Sequence, residues 1–507
     1  MIKAVIFDMD GTILASNDLV TKIYETLTKI HKPQVHLNSI SKEDLLAKGY
    51  PEIIKILYPG HHDFYIHEIY KIHEKISKPY LSLYPDTLEL LVYLKQLHIQ
   101  IFLVTSELRS ITMNQLKYLN ILDYFDEIIA FDDVLEPKPS PLGIHTLLNK
   151  YHLNKDLVVF IGDSISDGMA ANKAGIKSIY MNHHLDESKV KYFDQEMHML
   201  KEFMDYIDAL NPVFKLELQD KSSLNIIQFT DLHLMHDEKD DKTFKLLSHM
   251  IKKESPDLIL FTGDQTMSKD SVILYSKLHI FMEQFEIPWS FLFGNHDTDY
   301  GVSYEALLNT VKKHKYLKFK RGYKKLGYSN FFFEVKFGKN QVGLIFMLDS
   351  HIDETYIISD KEQWGYGRIL DSQSEWIKDV FRQYEVTNRH VSSIIFQHIP
   401  PFEVRSIKKE DTKNYIGVFD ESPSTPPVQT NFFNILNALD IKGVFYGHDH
   451  YNDFSFTMNN IFMAYGRVSG YYEYLDVSNQ KGARLIKFHS KKSIDSKILL
   501  YDKNEVS

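Results

Sequence analysis

Short apolar runs that end in acidic or polar residues recur along the chain. Val5-Ile6-Phe7 runs into Asp8, residues 101–104 run into Thr105, and residues 157–161 run into Gly162-Asp163. Helices are predicted between them near 86–98, 109–119, 141–151 and 166–174, with further short strands near 127–130 and 178–181. Strands alternating with helices mean βαβ units and a parallel sheet. Residues 18–80 break that rhythm just after the first strand. Leu19, Ile23, Leu27 and Ile30 fall at helical spacing, and Pro33, Pro51, Pro59 and Pro79 punctuate several amphipathic helices. This block reads as an inserted helical cap at about 15–82. A helix near 195–209 closes the first part at Asn211-Pro212.

The second part opens with an apolar stretch at 214–218, a polar turn and a strand at 225–229. Its strands end in polar residues at Asp231, Asp264, Asn295, Gln397 and Gly447. Helices are predicted near 241–254 and 431–439. Residues 403–430 hold Pro423, Pro426 and Pro427 and read as a long surface loop. The chain is therefore read as two α/β domains, 1–210 and 223–507, joined by a polar linker at 211–222.

Composition narrows the options. With 44% hydrophobic and 25% charged residues in 507, the chain is ordinary globular material, neither disordered nor fibrous. The net charge is -10, and acidic residues outnumber basic ones in both parts, so the basic footprint of a nucleic-acid binder is missing. Cysteine is absent, which excludes a thiolate zinc site and a cysteine nucleophile. Any metal must be held by His, Asp, Glu or Asn. The first residues turn polar too soon for a signal peptide, and no run reaches ~18 apolar residues, so a cytoplasmic protein with no membrane association is expected.

Asp8-Met9-Asp10-Gly11-Thr12 follows the first strand directly. Two carboxylates at i and i+2 beyond a strand end can divide labour, one attacking phosphorus and the other moving the proton. Gly11 permits the tight turn that leads away; Asp-x-Asp-Gly alone is also a plain turn. Thr105, Lys138-Pro139 and Gly162-Asp163-Ser164-Ile165-Ser166-Asp167 then follow in order, at positions where a parallel sheet binds ligands. Together these motifs resemble the haloacid dehalogenase superfamily of phosphohydrolases, in the capped branch of phosphoglycolate phosphatase and β-phosphoglucomutase. The resemblance implies a Rossmann-like parallel sheet. It also implies an aspartyl-phosphate on Asp8, acid/base work by Asp10, and phosphoryl oxygens held by Thr105 and Lys138. Mg²⁺ would be bound by Asp8, the backbone carbonyl of Asp10, Asp163 and, in support, Asp167.

The second part carries Asp231-Leu232-His233, Gly263-Asp264, Gly294-Asn295-His296-Asp297, His398 and Gly447-His448-Asp449-His450. A lone histidine is usually structural. Five clusters that each end a strand and hold His or Asp are hard to explain as packing. Side chains at i and i+2, such as Asp231/His233 and His448/His450, can converge on adjacent metals, and imidazole with carboxylate suits Mn²⁺, Fe or Zn²⁺. The pattern resembles the calcineurin-like dinuclear metallophosphoesterases, in the intracellular branch related to purple acid phosphatases. The resemblance implies an α/β sandwich of two sheets flanked by helices. Asp231, His233, Asp264 and His450 would hold one metal, and Asp264, Asn295, His398 and His448 the other, with Asp264 bridging. His296 would bind the phosphate and protonate the leaving group, steadied by Asp297. A hydroxide held by two metals about 3.5–4 Å apart would attack in line. Purple acid phosphatases place a tyrosine three residues after the aspartate of the GD motif. Met267 stands there, which argues against the purple tyrosinate–iron chemistry.

The sequence thus reads as a bifunctional phosphohydrolase. An Mg²⁺-dependent monoesterase acting on small phosphorylated metabolites is joined to a dinuclear-metal phosphatase or phosphodiesterase. The alternatives are a nucleic-acid end-processing enzyme and a regulatory protein with inactive sites.

Overall fold

The computed structural model describes residues 2–41, 45, 50–218, 221–311, 314–323, 326–337, 341–386, 390–472, 480–490 and 493–501. Residues 42–44 and 46–49 of the expected cap, Glu473 and Tyr474, and 502–507 lie outside the described residues. The chain separates into two compact units, Met1–Asp208 and Ala209–Ser507.

The first unit is built on a six-stranded parallel sheet. Its order is Glu127–Ile129, Gln100–Val104, Ala4–Phe7, Val158–Gly162, Lys177–Met181 and Gln195–Met197. Ala4–Phe7 and Val158–Gly162 are buried throughout, as strands covered on both faces must be. Ala4, Ile6, Phe102, Val104 and Phe160 share a core with Ile144, Leu147, Ala170 and Ala171 of the crossover helices Leu142–Lys150 and Ile165–Ala174. The sixth strand departs from expectation, because the helix foreseen near 195–209 starts only at Leu200. Gln195 and Glu196 are half-buried edge residues. They join the sheet through backbone pairing with Ile179 and Tyr180, which a polar sequence does not announce.

The inserted cap comprises Asn17–Ile30, Tyr50–Leu57 and His62–Ile76. It has its own core, in which Leu19, Ile23, Leu27, Ile53, Ile54, Leu57 and Ile69 pack together. The two chain crossings between cap and sheet are tied by antiparallel pairing of Leu14–Ala15 with Ser82–Leu83.

The second unit has two sheets. One has the order Trp289–Leu292, Leu258–Thr262, Ser223–Phe229, Gly482–His489 and Ile494–Leu500. The other has Ser455–Met458, Ile461–Tyr465, Ile441–Tyr446, His390–Phe396, Gln341–Met347, Phe331–Phe337 and Phe214–Leu218. Leu224, Ile226, Leu258 and Leu260 of the first interleave with Phe331, Phe333, Ile345, Met347, Ile394 and Phe445 of the second. Helices Glu238–Glu254 and Ser271–Glu283 cover the outer face of the first sheet through Leu247, Ile251, Leu274 and Leu278. Helix Asp371–Glu385 covers the second, with Trp376 edge-on to Phe346. Residues 214–218, expected inside a linker, pair in parallel with residues 333–337 and form an edge strand. The alternation Phe214, Leu216, Leu218 supplies the half-buried side of that strand. Residues 403–430 are anchored rather than free, with Val404, Phe419 and Thr425 buried. Among the described residues no helix is long and apolar enough to cross a membrane.

Candidate active sites

The central strand of the first unit delivers Asp8 to the carboxyl edge of the sheet, where Asp8 N donates to the Ile161 carbonyl at 2.9 Å. Lys138 Nζ donates to Asp8 Oδ1 and, at 2.6 Å, to Asp167 Oδ1. Asp167 is fixed from its other oxygen by Ser164 N at 3.0 Å and Ser164 Oγ at 2.7 Å, the capping box that starts helix Ile165–Ala174. Asp163 Oδ1 accepts from Thr12 Oγ1 at 3.3 Å. Asp8, Asp163 and Asp167 offer oxygens within 4.8 Å of one another, so they can hold a hard cation. Burial and the neighbouring Asp167 push Asp8 well above the usual carboxylate range, and burial with Asp167 pushes Asp163 up to about 7. Burial also raises Asp10. Carboxylates crowded this way call for positive charge, and Lys138 supplies only part of it. Gly11 is required by space as well as by φ +79: a Cβ there would stand 2.3 Å from Asp163 Oδ2. Thr105 is buried at the end of the next strand, and its Oγ1 accepts from Glu107 N at 3.1 Å. Sequence reasoning passed over Glu107, whose carboxyl is pushed up to about 8 by burial and by Asp10.

In the second unit the expected ligands come together at strand ends in two trios. Asp231, His233 and His450 form one, and Asp264, His398 and His448 the other, each with its donor atoms within 4.8 Å. Asp264 Oδ2 faces both trios, 3.1 Å from His398 Nε2 and 3.5 Å from His233 Nε2. Asn295 Oδ1 lies 3.1 Å from His398 Nε2. The backbone is bent into the left-handed region at Asp231 (φ 54), His233 (φ 43), Asp264 (φ 53) and His448 (φ 77). Non-glycine residues enter that region at a cost of about 1–3 kcal/mol each, and such strain gathers where side chains must be aimed. Glycines make room beside them. A Cβ on Gly294 would come 2.1 Å from Asp264 Oδ1, and one on Gly263 2.3 Å from His398 Nδ1.

The hydrogen-bond pattern fits metals. His398 Nδ1 lies 2.8 Å from the Thr262 carbonyl, an acceptor only, so Nδ1 carries the proton. In the neutral ring Nε2 then turns a lone pair toward Asn295 Oδ1 and Asp264 Oδ2. Nε2 of His450 meets Nε2 of His233 at 3.1 Å. His448 Nε2 is buried with no hydrogen-bond partner among the described residues. Lone pairs facing one another are the donor set of a cation. The electrostatics agree at two of the histidines: burial lowers His233 and His448 to about 3, leaving both rings neutral. At His398 burial is outweighed by the Asp264 carboxylate, and the ring is pushed up to about 10, so without a cation Nε2 holds a proton against Asp264 that a bound metal would displace. At Asp231 burial is outweighed by His450 and His398, which hold it down to about 2.

Asp297, expected to steady His296, binds the backbone of the ligand-bearing turns. Its Oδ2 accepts from Gly294 N at 2.8 Å and Asp264 N at 3.1 Å, and its Oδ1 from Thr266 N at 3.0 Å. It therefore locks the two ligand-bearing turns together. The partner of His296 Nδ1 is Asp299 Oδ2, at 2.9 Å. Being buried, Asp297 goes where unpaired backbone donors need it, whereas Asp299 sits at the rim beside the half-exposed imidazole. The i+3 spacing in the turn after Gly294-Asn295-His296 was the signal for Asp299. Met267 is buried.

Residues 5–181 match the family described as haloacid dehalogenase-like hydrolase, and residues 224–452 match calcineurin-like phosphoesterase. Phosphatase DCR2 of Saccharomyces cerevisiae is 28% identical over 287 residues, 50% of this chain and 49% of that protein, so the match spans about half its length. Probable inactive purple acid phosphatase 28 of Arabidopsis thaliana is 27% identical over 321 residues, 54% of this chain and 78% of that one. Pyrophosphatase PpaX of Halalkalibacterium halodurans is 26% identical over 223 residues, 41% of this chain and 97% of that one. The chain thus joins an N-terminal haloacid dehalogenase-like hydrolase domain to a C-terminal calcineurin-like phosphoesterase domain.

Proposed function

We propose that the chain is a bifunctional phosphohydrolase with two mechanistically distinct sites, one in each unit. The observation that carries this reading is the gathering of buried and half-buried donors beyond strand ends in both units: Asp8, Asp163 and Asp167 in one, two His/Asp trios in the other.

In the first unit Asp8 is the nucleophile. One of its carboxylate oxygens attacks phosphorus, and the ester oxygen leaves with a proton from Asp10. Water then attacks the phosphorus of the aspartyl-phosphate and gives its proton to Asp10, which returns both carboxylates to their starting state. Thr105 and Lys138 hold the phosphoryl oxygens. Asp8, the Asp10 carbonyl, Asp163 and Asp167 would hold Mg²⁺, which supplies charge neutralisation for the crowded oxygens. A cap over the sheet favours small monoesters, because it excludes water from the site. The pyrophosphatase and phosphatase names of the relatives agree with small phosphorylated substrates.

In the second unit Asp231, His233, Asp264 and His450 would hold one metal, and Asp264, Asn295, His398 and His448 the other. Bound there, two divalent or trivalent ions of the Mn, Fe or Zn type supply Lewis acidity toward water and the phosphate. His296 holds a phosphate oxygen and gives its proton to the leaving group; Asp299 orients the ring through Nδ1. Asp297 keeps Asp264 in place.

The full chain, its Asp8→Asn variant and its Asp264→Ala variant should be assayed for phosphate release from a panel of monoesters and diesters, with and without metals. Each variant is expected to lose one substrate set and keep the other. If both variants keep every activity of the parent chain, the two-site reading is wrong. Because one relative bears the name of a probable inactive phosphatase, metal-loaded parent chain with no turnover of any ester would favour a regulatory protein.

A further inference from the structure

Beside the second site stands a feature that the chemistry described above does not use. Strands Glu354–Ile358 and Lys361–Gly365 form a two-stranded hairpin of their own. One face turns inward: Tyr356 is buried, and its hydroxyl donates to the Tyr366 carbonyl at 2.6 Å. The other face carries Thr355, Ile357, Glu362 and Trp364, all exposed. Trp364 is 59% exposed, in contrast to Trp289 and Trp376, which are 0% and 1% exposed. A large ring left in water at the mouth of a site is an unusual surface feature.

The exposed ring does not stand alone. Trp364 meets Tyr366 with ring centroids 5.0 Å apart and planes at 67°. Tyr366 in turn meets His448, the half-buried member of the second trio, at 4.5 Å and 80°. A line of rings therefore runs from the metal-ligand cluster outward to solvent. Its inner end lies against a candidate metal ligand, and its outer end presents an indole face. Edge-on contacts of this kind hold each ring in a fixed orientation. The Trp364 surroundings mix one isoleucine with a threonine and a glutamate, so the surface is a ring face amid polar groups. That setting suits a planar heterocycle with polar edges better than an alkyl chain or an apolar protein face.

We propose that Trp364 and Tyr366 form a stacking subsite for the ring of a nucleoside-type phosphoester whose phosphate sits at the His/Asp cluster. The subsite rests on the phosphoesterase reading of the second unit, and it names the substrate class of that site. The line of rings sets the indole outward of the His/Asp cluster, on the side toward which the sugar and base of a phosphate-bound nucleoside would extend. Stacking is indifferent to which base is present, so the subsite selects for a ring and not for a sequence.

The test uses the full chain carrying Asp8→Asn, with metals supplied, so that only the second site reports. Two measurements are made. The first is kcat/KM for adenosine 5′-monophosphate against ribose 5-phosphate, which share the phosphate and sugar and differ in the ring. The ratio is expected to fall about tenfold in Trp364→Ala and to be largely kept in Trp364→Phe. The second is acrylamide quenching of tryptophan fluorescence, which reads Trp364 because the other two tryptophans are fully buried. The methylene phosphonate analogue of adenosine 5′-monophosphate should abolish most of that quenching, and methylphosphonate should not. A ratio unchanged in Trp364→Ala, or a Trp364 left unshielded by the adenosine analogue, overturns the subsite. Turnover of neither ester, nor of any diester, with metals bound defeats the phosphoesterase reading instead, while the shielding measurement still decides the aromatic subsite.

Discussion

Both units bury acidic side chains at the ends of strands, and they neutralise them differently. In the first unit a resident ammonium does part of the work. Lys138 is buried between Asp8 and Asp167 and touches both. In the second unit the ion-pair partners of Asp231 and Asp264 are imidazoles: His233, His398 and His450. An ammonium keeps its charge at neutral pH, and next to a nucleophilic carboxylate it can stay in place while a phosphoryl group arrives. An imidazole can give up its charge and present a lone pair, which lets the same cluster accept cations instead. The first arrangement suits a side-chain nucleophile helped by one hard ion. The second suits a site whose charge is carried by metals and whose nucleophile is water.

The sharpest way to break this contrast is to remove its two central carboxylates in turn. Asp264→Ala should cost at least one metal per chain by elemental analysis and abolish the second activity for every leaving group, because both trios lose their shared oxygen. Asp8→Asn should leave that activity and its metals intact while abolishing turnover through the aspartyl-phosphate. Retention of full metal content in Asp264→Ala would remove the bridging role.

A smaller effect is expected at His296, to which the proposed function gives a proton to donate and no metal to hold. His296→Ala should keep both metals and lower kcat by ~10²–10⁴-fold, the usual worth of a general acid. The loss should shrink for nitrophenolate, a leaving group that hardly needs protonation. Loss of both metals would make the histidine a ligand instead.

Asp299→Asn should be milder still, because it removes only the partner of Nδ1. A drop of roughly tenfold is expected, well below the full worth of the acid. It should follow the same leaving-group dependence as His296→Ala, with unchanged metal content. An effect equal for all leaving groups would assign Asp299 a structural role.

The last prediction leaves activity untouched and concerns stability. His279, remote from the metal ligands, is fully buried beside Trp289 at 5.2 Å, and burial lowers it from 6.5 to about 3. Between those two values the unfolded chain carries a proton that the folded ring lacks. The contribution is therefore fully present above pH 6.5 and is lost as pH falls toward 3, with a slope of about 1.4 kcal/mol per pH unit. Urea unfolding followed by Trp289 emission should show this slope in the parent chain and a shallower one in His279→Gln. Equal slopes would mean that the ring is protonated in the folded state.

What the sequence determined by itself was the local part of both sites. Asp8, Thr105, Asp163, Asp231, Asp264 and His448 each follow an apolar run, and a strand end is readable from a few neighbouring residues. The glycines beside them are readable for the same reason, since a tight turn needs a residue without a Cβ. The tertiary structure alone decided whatever depends on partners distant in sequence or on geometry within a turn. Gln195–Met197 is a strand because Lys177–Met181 offers it a free edge. Phe214–Leu218 belongs to a sheet because residues 333–337 lie alongside it. Asp297 binds Asp264 N and Thr266 N, more than thirty residues earlier, because they needed an acceptor in a buried place. Trp364 is linked to His448 through Tyr366, a contact between residues far apart in sequence. Local chemistry fixes what a segment can become; long-range burial and hydrogen-bond demand choose among the options.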